Sequence, residues 1–212
     1  MPTFIFYRNK IKIDRLTGAD LTSLEAKIVQ LLGTDEGGDS DVGVVGHMDL
    51  ITFITKSECE CLNESDDHGF ADCLNDDGRY LESDCDEQMI MFISFNRAIK
   101  LHSLRIKGPE ENGPKTLKIF INQPKTLDFD QAIKMEPTQQ VELSKKDLLE
   151  GNIVPLRFVK FQNVQNLQVF FKDNQNGSDV TRIDHLCFIG SPLSTTNMGD
   201  FKRVAGKKGE SH

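Results

Sequence analysis

The pattern of apolar and polar positions changes about 48 residues into the chain. Before that point, the β-forming residues of Thr3–Arg8 and the alternating run Ile11–Asp14 predict two strands joined by a tight turn. Leucine and isoleucine residues then recur at helical spacing, and Gly33 stands where such a helix would end. The first segment is therefore predicted to form a β-hairpin followed by a helix.

After residue 47 the chain consists mostly of short runs in which apolar and polar residues alternate, with turn residues between them. Helical patterns are limited to Met48–Lys56 and Ser144–Glu150, and Cys59–Asp86 has no period and is predicted to be an ordered loop. Many short strands without long helices between them predict a mainly β, antiparallel sandwich or barrel. The predicted strands are Gln88–Phe95, Ile99–Lys107, Thr116–Asn122, Gln139–Leu143, Leu156–Gln162, Leu167–Lys172 and Thr181–Ile189.

The charge of the chain is concentrated in one segment. The formal net charge is −8, and Glu58–Glu87 holds twelve acidic residues and one basic residue, Arg79, so the rest of the chain sums to +3. A surface of this sign repels nucleic acid and favours basic protein partners. We find no secretory signal and no apolar run long enough to cross a membrane, so we expect a location in the cytoplasm, with the nucleus as a second location.

The five cysteines offer two kinds of chemistry, neither of which we expect. A redox role for Cys59-x-Cys61 is disfavoured because neighbouring glutamates raise the pKa of a thiol. Zinc would find ligands of the right type, but their spacing is poor. The residues of that weaker zinc hypothesis are Cys59, Cys61, His68, Cys73 and Cys85. We therefore predict no catalytic residue, no metal and no cofactor.

Two further candidate ligands are calcium, for the acidic segment, and a sugar, for the sandwich. The carboxylates of the acidic segment suit calcium, but EF-hand spacing is absent, and a solvated acidic surface is the preferred interpretation. Sugar sites use exposed aromatic rings, whereas this chain has no tryptophan and only two tyrosines, Tyr7 and Tyr80. We expect no small-molecule substrate.

Several peptides resemble the PITH domain of proteasome-interacting thioredoxins. They are Cys59–Ser65, Leu81–Gln88, Val154–Val164, Asn197–Val204 and the closing Gly206–His212. The resemblance covers residues 48–212. It implies a jelly-roll β-sandwich of the galactose-binding-like type, which docks on the lid of the 26S proteasome near its deubiquitinating subunit.

Residues 1–33 resemble only the last part of a thioredoxin domain. Met1–Phe4 is similar to the segment that holds the cis-proline, and Gly18 is similar to the glycine before the last helix. The family's Cys-x-x-Cys motif would precede this segment, and the sequence contains no such motif. We therefore expect a truncated chain that lacks thiol-disulfide oxidoreductase activity. That activity is the alternative to a binding function. A fragment of this size is below the roughly 40 residues that fold alone, so it docks on the sandwich, dimerises or frays.

The predicted organisation has four parts: a thioredoxin remnant at 1–33, a flexible acidic and glycine-rich linker at 34–47, the PITH sandwich at 48–193 and a basic tail at 194–212. An aromatic anchor beside basic residues suits a groove with an acidic rim, so the tail is a candidate docking peptide. Its candidate partner-binding residues are Phe201, Lys202, Arg203, Lys207, Lys208 and His212. We predict a non-catalytic binding protein.

Overall fold

A computed structural model describes residues 3–8, 11–18, 20, 21, 23, 24, 27, 42–149 and 152–193. The N-terminal segment contains strands β1 (Thr3–Arg8) and β2 (Ile11–Thr17), which pair antiparallel. A helix follows. At its first turn the Asp20 carboxylate accepts a hydrogen bond from the Ser23 amide, and the Asp20 carbonyl accepts one from the Leu24 amide. The predicted hairpin and the start of the helix are confirmed, while Gly33 lies outside the described residues.

Ten strands build the rest of the described chain. They are β3 (Met48–Asp49), β4 (Glu60–Leu62), β5 (Leu81–Glu82), β6 (Met89–Lys107), β7 (Pro114–Ile121), β8 (Gln139–Glu142), β9 (Val154–Pro155), β10 (Val164–Asn174), β11 (Arg182–Ile183) and β12 (His185–Pro192). The one α-helix described between residues 42 and 193 is Phe129–Lys134. Single 3-10 turns lie at Ile51–Phe53, Lys56–Glu58, Phe70–Leu74, Lys145–Leu148 and Phe158–Phe161.

Strand β6 is shared by two layers of a sandwich. Its first half pairs with β4 and β10, and β7 and β8 follow beyond β10. Its second half pairs with β9 and β12, and β3 follows beyond β12. The strand is exposed at Asn96 and Arg97, where it passes from one half to the other. All pairings are antiparallel, and the arrangement is a jelly-roll β-sandwich, as predicted.

The main core lies between the two layers. On the first half of β6 alternate residues, beginning with Met89 and Met91, belong to this core, beside paired residues of the neighbouring strands such as Val169 and Ile119. On the second half the alternation shifts by one residue at His102, because the pairing with β12 skips this position. This bulge keeps apolar side chains in the core on both sides of it.

A second, smaller core lies on the outer face of the first layer. The Phe129–Lys134 helix and the residues before it cover Phe120 and Phe170. Gln168 on β10, which is 1% exposed, holds the segment before the helix in place. Its Oε1 accepts from the Leu127 amide at 2.9 Å, and its Nε2 donates to the Lys125 carbonyl at 2.8 Å. This helix was not predicted from the sequence, although Asp128 and Gln131 form a capping box at its start.

A third apolar cluster covers the outer face of β12. Val42 and Val44 pack there against Cys187 and Ile189, and Val42 is 2% exposed. Its carbonyl accepts a hydrogen bond of 2.8 Å from Nη2 of Arg105. Residues 42–47 were predicted to belong to the flexible linker, and the structure shows that this end of the segment lies against the sandwich.

Two sequence predictions of local structure are wrong. Met48–Lys56 was predicted to be helical, but it contains β3 and two 3-10 turns, because its backbone bonds to β12 and β6 through the Leu50 and Thr55 amides. Leu156–Gln162 was predicted to be a strand, but it forms the 3-10 turn Phe158–Phe161. There the amide bonds are satisfied locally, and this tertiary context overrides the β-propensity of phenylalanine and valine.

Candidate functional site: an ordered acidic surface

The acidic segment is a folded part of the sandwich. It contains β4, β5 and the 3-10 turn Phe70–Leu74, and its apolar residues Phe70, Cys73 and Leu81 are buried in the main core. Eight of its carboxylates are exposed and form what we call the acidic surface. These are Glu58, Glu60, Asp66, Asp67, Asp76, Asp77, Asp84 and Asp86. The prediction of an ordered loop is confirmed, with more regular structure than expected.

Asn63 organises the end of this segment. Its backbone adopts φ +66°, the left-handed region that asparagine tolerates better than most residues. Its Nδ2 donates to the Gln88 carbonyl at 2.7 Å and to Asp86, at 3.0 Å to Oδ1 and 3.2 Å to the carbonyl. Its Oδ1 accepts from the Cys85 amide at 3.0 Å. One side chain therefore fixes the backbone that presents Asp84 and Asp86.

Glu64 and Asp72 fix the middle of the segment. The Glu64 carboxylate accepts from the Phe70 amide at 2.5 Å, and the Asp72 carboxylate accepts from the Gly69 amide at 3.2 Å. Both bonds satisfy amides at the start of the 3-10 turn, which have no partner within the turn itself. These two acids are half-buried and hold the backbone of the segment.

An aromatic stack lies beside these carboxylates. The rings of His68 and Tyr80 are stacked with centroids 3.9 Å apart, and the Arg182 guanidinium lies 3.7 Å from the Tyr80 centroid. Two groups this close to one centroid must occupy opposite faces of the ring. The Arg182 Nε also donates to Asp184 at 2.6 Å. The zinc candidate His68 is thus held by a ring contact.

Several of the carboxylates face cations of the same molecule. Arg79 binds Asp72 at 2.6 Å and Asp77 at 2.8 Å, and Lys107 binds Asp76 at 2.5 Å. The pKa of Asp77 is lowered by its hydrogen bond to Arg79, and the pKa of Asp76 is lowered by its hydrogen bond to Lys107. These acids stay charged at neutral pH. Among the described residues, the structure records no ion pair for the remaining exposed acids of this surface.

A buried polar network ties the acidic segment to β10 and β11. The Thr181 hydroxyl donates to the Glu87 carbonyl at 2.7 Å, and its amide donates to the Ser83 hydroxyl at 2.9 Å. The Asn174 amide group donates to the Ser178 and Val180 carbonyls at 2.8 Å and 3.0 Å. Because these groups are buried and paired, the segment cannot move away without breaking several hydrogen bonds.

The cysteines that were considered as zinc or redox residues differ in their surroundings. Cys61 and Cys73 are core residues, and burial raises the pKa of both thiols, that of Cys73 to about 12. Cys59 is half-buried, and burial raises its thiol pKa as well. Cys85 is exposed, and its pKa is raised by the hydrogen bond to Asp84. Within the described ranges, no three histidine, cysteine or acidic residues are arranged to hold a metal ion.

A shallow pocket of about 420 Å³ lies beside the Phe129–Lys134 helix. It is lined by Leu127, Asp128, Asp130, Gln131, Lys134 and Met135. No aromatic ring lines it, so it lacks the stacking platform on which a sugar would be held. In the part of the chain that the structure describes, no helix is long and apolar enough to span a membrane.

The tail candidates Phe201, Lys202, Arg203, Lys207, Lys208 and His212 lie outside the described residues. Their role remains a prediction. The sequence signal for the acidic surface was its composition alone. The residues that hold it in place, Asn63, Thr181 and Asn174, carried no signal that the sequence analysis used.

Fold and site together define a jelly-roll β-sandwich that presents an ordered acidic surface. The backbone is similar to the galactose complex of the family 32 carbohydrate-binding module of NanJ from C. perfringens, with a TM-score of 0.48, 8% identity, and coverage of 68% of this chain and 98% of that one. A second module of this type, from a family 31 glycoside hydrolase of Clostridium perfringens, gives a TM-score of 0.46 and 15% identity over 66% of this chain and 96% of that one.

The sequence comparisons identify the family. The profile of the PITH domain matches residues 40–206. Thioredoxin-like protein 1 of Schizosaccharomyces pombe is 36% identical over 214 residues, which cover 96% of this chain and 74% of that protein. The PITH domain-containing protein CG6153 of Drosophila melanogaster is 33% identical over 66% of this chain and 68% of its own length. This chain belongs to the PITH-domain family, as its peptides suggested.

Proposed function

We propose that this chain is a non-catalytic binding protein that docks on the lid of the 26S proteasome, near the deubiquitinating subunit, in the cytoplasm or nucleus. Membership of the PITH-domain family supports this proposal, since the family resemblance carries the proteasome as partner. The single structural observation in its favour is the acidic surface, part of whose backbone is held in place by Asn63 and the Thr181 network. A preorganised charged surface loses little entropy on binding.

Two parts of the chain would share the docking. The acidic surface suits a basic patch on the lid, because complementary charges speed encounter and fix orientation. The tail carries the opposite charge and an aromatic anchor, Phe201, so it suits an acidic groove. His212 would add an imidazole at the end of that peptide.

The alternative function is thiol-disulfide exchange. It needs a thiol whose pKa is lowered, because the thiolate is the nucleophile. Cys59, Cys61, Cys73 and Cys85 all have raised pKa values, and so does Cys187, where burial is the main cause. An insulin-reduction assay separates the two functions: turnover that is lost in Cys59→Ser would support the enzyme.

Co-sedimentation with purified 26S proteasome tests the docking proposal. We expect the full chain to sediment with the particle, and a chain without residues 194–212 to bind more weakly. The double variant Asp66→Lys/Asp67→Lys should also bind more weakly, and increasingly so at low salt. The matched control is Glu136→Lys/Glu142→Lys, which makes the same charge change at two exposed acids, one on the edge strand β8 and one just before it. Absence of binding by the full chain would refute the proposal.

A further inference from the structure

The sandwich exposes two valines on neighbouring loops. Val159 is 89% exposed on the 3-10 turn after β9, and Val45 is fully exposed just before β3. The two loops are in contact, since the Phe158 ring lies 5.6 Å from the His47 ring, centroid to centroid. Exposed apolar side chains on two contacting loops of a soluble domain are candidates for an interaction site.

The backbone under these valines is held firmly. The Leu156 amide donates to the His102 carbonyl at 3.0 Å, and the Gln162 Nε2 donates to the Phe158 carbonyl at 2.6 Å. The imidazoles of His47 and His102 stack at 4.5 Å, and Phe158 lies 5.4 Å from the His102 ring. We call the surface formed by Val45, His47, His102, Arg157, Phe158, Val159 and Lys160 the valine platform.

The valine platform has the opposite charge to the acidic surface. Residues 42–48 and 152–163 contain no aspartate or glutamate, and they contain the cations Arg157 and Lys160. Both side chains are exposed, and within the described residues neither has an ion pair. The Lys160 ammonium group donates one hydrogen bond, to the Thr138 carbonyl at 3.0 Å, which holds it beside β8 and leaves two of its protons free.

We propose that the valine platform is a second binding site, which takes an acidic segment of a partner protein that carries an apolar side chain. The apolar side chain would bury the exposed faces of Val45 and Val159, and carboxylates beside it would pair with Arg157 and Lys160. Each contribution is modest alone, but the platform is rigid before binding and orders few side chains on contact. The site is separate from the acidic surface and does not depend on docking to the proteasome.

An NMR titration of the full chain with the peptide acetyl-Asp-Glu-Leu-Phe-Glu-Asp-amide tests this site. We expect the amide resonances of residues 45–47, 102 and 157–160 to shift, and a peptide with lysine at its four acidic positions to cause no shift. Arg157→Glu/Lys160→Glu should weaken binding about tenfold, because it reverses two cations. The matched control, Lys145→Glu/Lys146→Glu, reverses two exposed cations of another 3-10 turn and should bind like wild type.

Val159→Ser provides a variant that cannot fail through unfolding, because the side chain is almost fully exposed. This variant should bind the peptide more weakly, while the melting temperature of the protein stays unchanged. Binding of the peptide with wild-type affinity by both Val159→Ser and Arg157→Glu/Lys160→Glu would overturn the proposal, as would chemical-shift changes located elsewhere on the sandwich. If the resonances of the platform residues shift with protein concentration in the absence of peptide, the platform binds a second copy of this chain instead. That result would also overturn the proposal.

Discussion

Replacing Asn63 by alanine tests whether one side chain preorganises the acidic surface. The substitution removes hydrogen bonds to the Gln88 carbonyl, to Asp86 and from the Cys85 amide. It also places alanine at φ +66°, where the Cβ atom crowds the backbone. The two effects are separable, because Asn63→Gly removes the same bonds and tolerates this φ.

The magnitude follows from these contacts. The side chain bonds three partner residues, and the two contacts with Asp86 are counted here as one shared bond. At about 0.5–1 kcal/mol for each partner, the bonds contribute roughly 1.5–3 kcal/mol in total. The left-handed backbone adds about 1 kcal/mol for alanine. We expect Asn63→Ala to lower the free energy of unfolding by about 2.5–4 kcal/mol, and Asn63→Gly to lower it by about 1 kcal/mol less than that. Urea unfolding measures both values.

Asn122 supplies the matched control, since it is the other described non-glycine residue with positive φ, at +55°. Its side chain bonds the Asn163 carbonyl and the Gln165 amide, each at 2.8 Å, away from the acidic surface. Asn122→Ala should cost about 2–3 kcal/mol by the same arithmetic. It should leave the binding of the acidic surface to a basic partner unchanged, whereas Asn63→Ala should weaken that binding.

Cys85 reports locally on the same change. The hydrogen bond to Asp84 raises the thiol pKa of Cys85, so at pH 8 this thiol holds less thiolate than a free cysteine and alkylates slowly. Releasing the Cys85 amide from Asn63 should loosen this contact, lower the pKa and speed reaction with iodoacetamide. Unchanged stability and an unchanged alkylation rate in Asn63→Ala would refute the reasoning.

Three further predictions concern the sandwich itself. A Cβ at Gly190 would lie within 3 Å of neighbouring backbone and side-chain atoms, so Gly190→Ala should lower the free energy of unfolding by more than about 2 kcal/mol. The control Gly177→Ala lies in open space at positive φ and should lower it by about 1 kcal/mol, and urea unfolding measures both values. Gln168→Met removes both bonds to the cover segment and should cost about 2–3 kcal/mol, against under about 0.5 kcal/mol for the exposed control Gln165→Met. Deleting residues 1–40 should leave the melting temperature unchanged, but deleting 1–46 should lower it, because Val42 is buried.

Alternation in the sequence predicted most strands, because the strands of a two-layer sandwich bury every second residue. It placed Leu167, Val169 and Phe171 on one face of β10, and all three are buried. It could not show that Gln88–Phe95 and Ile99–Lys107 form one strand, β6, because the exposed pair between them, Asn96 and Arg97, looks like a turn until the strand is seen to pass between layers.

The sequence predicted the negative charge of the candidate site but not the contacts that hold it in place. Counting acids located the segment, but Asn63 and Thr181 are ordinary polar residues in the sequence. The partners that tie them to the acidic segment lie between 22 and 98 positions away. Long-range pairs of this kind have no local pattern. The valine platform was missed for a related reason: the run around Val159 was interpreted as a strand, which would have placed alternate residues in the core.

Strand β6 relates the two proposed surfaces physically. Its first half pairs with β4, which carries Glu60 of the acidic surface, and its second half carries His102 of the valine platform. A continuous strand in a packed sandwich holds the two surfaces at a fixed spacing. If one partner assembly engages both surfaces, the second contact forms at high effective concentration and needs no flexible linker. A variant that loses either surface should then weaken binding to that assembly far more than it weakens binding to an isolated peptide.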